Sequence, residues 1–443
     1  MNSVPTASIW RRDILAWSVY DFANTIYSMN IVSLYLKRYI VQDLGHPDHY
    51  FDLPFAASML FAAAVLPALG AISDHTTKRK IFVFLFTLTC CASVGLLAVI
   101  PPGFMLGTVV LFILANFSYE AAQPFYNSLL YSVADGRQAR LVSGAGVAMG
   151  YVGSVVGMLL VLPFVSGSLY GLEIPFLSGS GKSGAFLPTA VLFFLFSIPL
   201  FLFVRERPAH RPERITFGRA YRDVWSALRN TRRYPGVLRF LIADYFFEDA
   251  VFTVILNIGL YCSIVLGLPD EQITTFLIIS TISAVIGSFA IGKIAQKWSL
   301  KDLLNIIMSG WVIALVLFVF TDSMPVIWVL GSLVGILLGG LWTTSRPMLA
   351  ELVPREELGR FFGIFALSGR TAAVIGPVIW TVIIYLFQPE NPLGQWAVKT
   401  FMLDQVQAEH LPYKLGVLSL AVMIAIGLVI FRKVPHTSRV THG

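Results

Sequence analysis

Seven charged side chains stand inside runs of sequence that are otherwise apolar: Asp21, Glu120, Asp244, Glu248, Asp249, Arg346 and Arg370. A charge at mid-bilayer costs roughly 2.5–3.5 kcal/mol on insertion scales, so such residues must pair or face water. The chemistry open to them is proton exchange at a carboxyl group and recognition of an anion by a guanidinium. Asn116, Glu120, Gln123 and Asn127 recur at i, i+4, i+7 and i+11, which makes one polar stripe on an apolar helix. Pro124 within the stripe frees a backbone carbonyl and is expected to bend the helix. Glu120 falls near the middle of its span and is the first candidate for a proton carrier. Arg346, counted back from Leu352, lies about 9 Å inside the inner end of its own helix. It either binds a solute carboxylate or pairs with Glu120, and competition between the two would couple proton to solute; a fixed salt bridge is the structural alternative. Trp342, one turn earlier, supplies an apolar or cation–π wall.

Asp244 and Glu248 share a helix face, whereas Asp249 points about 100° from Glu248, so all three cannot face one ligand. Asp244 follows Arg239 closely and is expected to be solvated at the inner mouth. Asp249 is expected to partner Asp21, with Arg370, in a structural or gating cluster.

The elements that carry these residues follow from composition. The 443 residues are 56 % hydrophobic and 13 % charged, with a mean hydropathy of +0.74, against about 25 % charged in a soluble domain. An ordinary soluble enzyme and a disordered chain are both excluded. Twelve apolar runs are long enough to cross a bilayer, near 14–40, 51–73, 81–100, 104–134, 141–165, 185–204, 237–266, 272–295, 303–321, 325–352, 358–387 and 411–431. Of 32 Lys and Arg, 25 fall in one alternate set of loops and 5 in the other, Lys37, Arg38, Lys182, Lys399 and Lys414, with Arg346 and Arg370 inside spans. The positive-inside rule then puts both termini and the central loop in the cytoplasm. The net charge of +7 is accordingly read as membrane topology and not as nucleic-acid binding.

No cleavage-site pattern follows Trp10-Arg11-Arg12, so the first span is expected to be retained. The central loop divides the chain into a six-helix bundle at 1–204, a basic linker at 205–236 and a second bundle at 237–443. Phe217, Tyr221, Val224, Trp225 and Leu228 fall at helical spacing in that linker and suggest an amphipathic helix on the inner membrane face. Cys90, Cys91 and Cys262 lie in apolar segments and are read as packing residues. The run Gly179 to Gly184 lacks both the first motif glycine and the preceding strand of a phosphate loop and is read as a flexible loop. None of the seven histidines lies in a span, and no metal-ligand spacing occurs. No metal, no cofactor and no nucleotide site are expected.

The halves repeat. Asn127 and Arg346, Gly144 and Gly363, Gly150 and Gly369, and Gly157 and Gly376 are each 219 positions apart, and Asp21 and Asp249 are each followed by Thr four residues on. Such internal repetition marks transporters built from duplicated bundles. Glycines at 146, 150, 153 and 157, and at 331, 335 and 339, are read as seams where helices touch closely.

The segment Gly70-Ala71-Ile72-Ser73-Asp74-His75-Thr76-Thr77-Lys78-Arg79-Lys80 resembles the signature loop between spans two and three of the major facilitator superfamily. Within it the chain resembles the vacuole-effluxer-like branch of fungal autophagy-related vacuolar amino-acid exporters and their bacterial relatives. Tyr20-Asp21-Phe22-Ala23-Asn24 and Asp249 carry that likeness, with Gly339-Gly340, Ser345-Arg346, Pro354, Phe361-Phe362-Gly363, Ser368-Gly369-Arg370 and Gly376-Pro377. Arg370 stands where many relatives have lysine, and Pro347 where they often have serine.

The resemblance implies an all-α fold of two pseudo-symmetric bundles, with helices one, four, seven and ten lining the solute path. It also implies a cytoplasmic gate at Gly70, Asp74, Lys78 and Arg79, paired with Asp135 and the start of helix eleven. The site expected is therefore Glu120, Arg346, Asp21, Asn24, Asn116, Gln123, Asn127, Glu248, Asp249, Trp342 and Arg370. The function expected is secondary transport, with efflux of an amino acid or related zwitterion, proton-coupled, by a monomer in a bacterial inner membrane or a vacuolar one. An antiporter of amphiphilic cations is the alternative, although span five has Gly150-Tyr151 in place of the Gly-Pro pair of drug antiporters. A membrane-embedded enzyme is the reading from another class.

Overall fold

The computed structural model describes residues 11–75, 78–134, 136–169, 171–173, 179–206, 218, 221–222, 225, 229, 234, 236–295, 297–353 and 358–436. The described chain is almost wholly helical; a two-residue ladder pairs Ser168 with Glu173 and Leu169 with Leu172. The helices are α1 (Arg12–Tyr27), α2 (His49–His75), α3 (Arg79–Leu97), α4 (Met105–Val133), α5 (Gly136–Ser166) and α6 (Phe186–Phe203). After the linker come α7 (Val237–Ile264), α8 (Asp270–Ile294), α9 (Leu300–Phe320), α10 (Met324–Leu352), α11 (Leu358–Phe387), the short α12 (Pro392–Phe401) and α13 (Gln405–Arg432).

Among the described residues, eleven helices are long and apolar enough to cross a membrane. The twelfth span is the first. It continues from α1 through π-helical Ser28–Tyr35, Leu36–Arg38 and π-helical Tyr39–Asp43, so its helical path is unbroken to Asp43 although no single type of turn is long enough. Inserted π turns of this kind recur at functional sites. Lys37 and Arg38, counted by the loop tally among outer-loop residues, are buried within this span. The sequence pattern did not foresee α12, whose start is set by Pro392 in the first turn, where a missing N–H costs nothing. Asp404 caps α13 by accepting from Gln407 N at 2.7 Å.

The chain forms two compact units, residues 1–35 with 65–217 and residues 36–64 with 218–443. Inside the first, α1 packs on α5 and α6, and α3 packs on α4 and α6. Inside the second, α7 packs on α11 and α13, and α9 packs on α10 and α13. The same pairing recurs six spans later, the structural form of the sequence repeat.

Glycine seams make these contacts. A Cβ on Gly153 would meet Phe22 O at 2.3 Å, and one on Gly339 would meet Ala284 O at 2.0 Å. Lipid tails are as apolar as the side chains, so helices in a bilayer associate through such close backbone packing. Of the linker, Phe217, Val224 and Leu228 lie outside the described residues. Tyr221 and Trp225 are helical and exposed, and the Tyr221 hydroxyl donates to Ala64 O at 2.8 Å.

Candidate functional site

In the first unit, Trp17 and Tyr126 clamp α1 to α4. Trp17 Nε1 donates to Tyr126 O at 3.2 Å, Tyr126 Oη donates to Trp17 O at 3.1 Å, and the rings stack with centroids 4.8 Å apart. The clamp holds the polar stripe of α4 in place. Asn116 is buried at the N-terminal end of the stripe, where Tyr27 Oη reaches its Oδ1 at 3.5 Å. Glu120 and Gln123 are half-buried, Asn127 is exposed, and the Glu120 charge acts on Tyr27, whose ring lies 4.9 Å from that of Tyr119.

Asp21 is half-buried against the α5 seam, where a Cβ on Gly146 would come within 2.5 Å of its Oδ2. Thr25 locks the same seam, its hydroxyl donating to Gly150 O at 2.6 Å. Asn24 is buried, and among the described residues neither of its amide atoms finds a hydrogen-bond partner. At the N-terminal end of α1, a cavity of about 560 Å³ is lined by Arg11, Arg12, Asp13, Ser132, Phe203, Arg205 and Glu206, a lining of mixed charge. There the Lys80 backbone N–H donates to the Glu206 carboxylate at the start of α3, a negative charge at a helix N-terminus.

In the second unit three helices bring opposite charges together. Glu248 of α7 is half-buried, and the charges acting on it are Arg346 of α10 and Arg370 of α11. Gly369 leaves this side of α11 open, since a Cβ there would lie 3.6 Å from Glu248 Oε2. Arg346 and Trp342 are exposed one turn apart on α10. One turn before Glu248 stands Asp244, and here the expectation fails. It is not solvated but 2 % exposed, and among the described residues neither carboxyl oxygen has a hydrogen-bond partner. Ser345 faces it from α10 without closing a hydrogen bond. Distance along the helix from Arg239 does not set the exposure of Asp244, because burial depends on what packs alongside.

Asp249 departs from expectation too. Its carboxylate accepts from Gly376 N with both oxygens, each at 2.8 Å, and not from Arg370, whose charge is directed at Glu248. The cause lies in α11, where Ala373 leaves helical geometry at φ −78°, ψ 24°. The break releases the Gly376 N–H from the helix ladder, and Asp249 satisfies it. A Cβ on Gly376 would fall 2.1 Å from Thr253 Oγ1, so α7 and α11 touch here as α1 and α5 do at Asp21 and Thr25. Of the expected gate, Lys78 is exposed and Arg79 half-buried, while Asp135 and the side chains of Gly70 and Asp74 lie outside the described residues. Among the described residues, no group of three or more His, Cys, Asp and Glu is placed to hold a metal ion.

The family model described as vacuole effluxer Atg22 like matches residues 131–387, and that of the major facilitator superfamily matches residues 3–158. The chain belongs to the vacuole effluxer Atg22-like family, within the major facilitator superfamily. It is 26 % identical to the MFS-type transporter YxiO of Bacillus subtilis, over 84 % of this chain and 88 % of that one. It is 22 % identical to autophagy-related protein 22 of Coccidioides immitis, over 73 % and 66 %.

Among solved structures, a bacterial homologue of the human lysosomal transporter Spinster, inward-facing and unoccupied, superposes with a TM-score of 0.72 at 13 % identity, covering 98 % of both chains. A variant of the nucleoside transporter NupG reaches 0.74 at 14 %, covering 95 % of this chain and 99 % of that one. At such identity these two speak for the fold alone. As a family member the chain is a multi-pass membrane transporter and not an enzyme.

Proposed function

We propose that this secondary transporter moves a small polar or zwitterionic solute, of amino-acid or related metabolite type, by proton-coupled alternating access. The observation that carries the reading is the mixed charge at Glu248, a carboxylate acted on by two guanidiniums in a segment that otherwise repels charge. A solute carboxylate suits Arg346 or Arg370 in bidentate fashion, and its ammonium suits Glu248. A solute bearing both charges leaves neither protein charge unpaired when it binds. Glu120 in the first unit and Asp244 beside Glu248 are the carboxyls assigned to proton carriage. Asp21 and Asp249 hold helices together, and Gly70, Asp74, Lys78, Arg79 and Asp135 form the cytoplasmic gate. The working unit is a monomer of two bundles, 1–204 and 237–443, in a bacterial inner membrane with both termini in the cytoplasm, and the direction is export.

The test is thermal stability of the purified protein against amino acids, dipeptides, organic cations and metabolites, beside Arg346→Ala and Glu248→Gln. A bound ligand stabilises by RT ln(1 + [L]/Kd), so weak binding at high concentration is visible. The expected result is a carboxylate-bearing hit, lost in Arg346→Ala and weakened in Glu248→Gln, that drives uptake into sealed vesicles. Stabilisation by amphiphilic cations alone, indifferent to Arg346→Ala, would replace this reading with that of a cation antiporter, for which the exposed Trp342 offers the wall.

A further inference from the structure

Lys37, on the first span, is enclosed by groups from α2, α7, α11 and α13, all within the second compact unit. Its Nζ donates to Asp52 Oδ1 at 2.8 Å and Oδ2 at 2.7 Å, lies 3.2 Å from Asp48 Oδ2, and donates to Asn257 Oδ1 of α7. The Trp380 and Phe51 rings flank it at 5.6 and 5.8 Å. Asp48 also accepts from Trp380 Nε1 and Tyr413 Oη, each at 3.3 Å, and Asp52 accepts from Thr381 Oγ1 at 3.3 Å. Lys37, Asp48 and Asp52 are 2 %, 3 % and 0 % exposed.

The charges here do not balance. The cluster holds two carboxyl groups and one ammonium. Among the described residues, α13 brings the Tyr413 phenol to the cluster, its His410 hydrogen-bonds the backbone of Ile264 on α7 and its Lys414 lies 4.0 Å from Asp322, α7 and α11 bring Asn257, Trp380 and Thr381 without charge, and the adjacent Arg38 is paired with Asp270 of α8. His46 and His49, near Asp48 in sequence, lie tilted against the Tyr50 ring, with centroids 4.9 and 4.7 Å away. With both carboxylates ionised, the closed cluster would bury one net negative charge, and an unbalanced buried ion costs several kcal/mol. One proton removes the imbalance. When the helices part and water enters, two hydrated carboxylates no longer need it.

We propose that Lys37, Asp48 and Asp52 form a proton-binding site at the outer ends of these helices, one that closes around a single proton and releases it on opening. The sign follows from linkage. The closed form holds one proton more than the open form, so acid favours closure and alkali favours opening, by up to about tenfold in the closed-to-open ratio per pH unit. This deepens the coupling part of the reading above. Solute binding at Glu248 and Arg346 is measured by a different experiment, so each can fail alone.

The experiment places spin labels at Gln42→Cys and Ser263→Cys, whose parent side chains meet at 2.8 Å beside the cluster. The full chain, with Cys90, Cys91 and Cys262 replaced by alanine, is reconstituted in nanodiscs, and pulsed electron resonance reads the label distance between about pH 5 and about pH 8. In the parent, the short-distance population should grow as pH falls. Asp52→Asn, neutral without a proton, should keep the short distance at both ends of the range, and Lys37→Met should shift to the long one at high pH. The proposal is overturned by a parent distance that ignores pH, by acid enriching the long distance, or by Asp52→Asn keeping the parent response. A response that disappears in His46→Gln/His49→Gln but survives in Asp52→Asn overturns it as well. Should Lys37→Met fail to fold, Asp52→Asn decides alone, with gel filtration confirming that it is monodisperse.

Discussion

At the residue scale, the intramembrane acids divide by what satisfies them. Asp249 is answered by two hydrogen bonds from one backbone N–H. Replacing it by Asn leaves one acceptor and removes the charge, which should cost about 1–3 kcal/mol. That cost is read as a lower melting temperature with the ligand-induced shift intact. Asp244 is the opposite case, since among the described residues no hydrogen bond closes on its buried oxygens. Exchanging an unsatisfied buried acid for an apolar side chain is neutral or stabilising. Asp244→Leu should therefore melt no lower than the parent while solute flux into vesicles falls. A stability loss with unchanged flux would assign Asp244 to packing.

At the element scale, helix contacts depend on glycines that differ in their surroundings. Gly339 lies where a Cβ would fall 2.0 Å from Ala284 O, whereas a Cβ on Gly144 would meet nothing within 4 Å. Gly339→Ala should destabilise by about 1–3 kcal/mol through overpacking of α10 on α8. Gly144→Ala should stabilise by up to about 1 kcal/mol, because alanine is the better helix former. The two melting curves, measured side by side, separate close contact from backbone propensity. The recurrence of glycine along one face was legible in the sequence. Which glycine touches backbone and which faces open space was not, because that depends on the crossing point of two helices.

At the scale of the whole molecule, the segregation of Lys and Arg predicts orientation. A reporter that fluoresces only in the cytoplasm should be bright at the C-terminus and dark when inserted at 179–184; the reverse pattern would invert the topology. By itself the sequence determined the number of spans, the duplication and the existence of intramembrane charge, because apolar run length and periodicity are local properties that the bilayer reads directly. The i, i+4 pairing of Asp244 with Glu248, and the divergence of Asp249 from them, were likewise fixed by helix geometry.

Only the tertiary structure decided what those charges meet. Lys37 was counted as an outer-loop cation, yet it is buried against Asp52, fifteen residues on, and Asn257, 220 residues on. Asp249 found a released backbone N–H where Arg370 was expected, because α11 breaks at Ala373. A desolvated charge is stabilised by whichever group packing brings within about 3 Å of it, and helix spacing within one span carries no record of that neighbour.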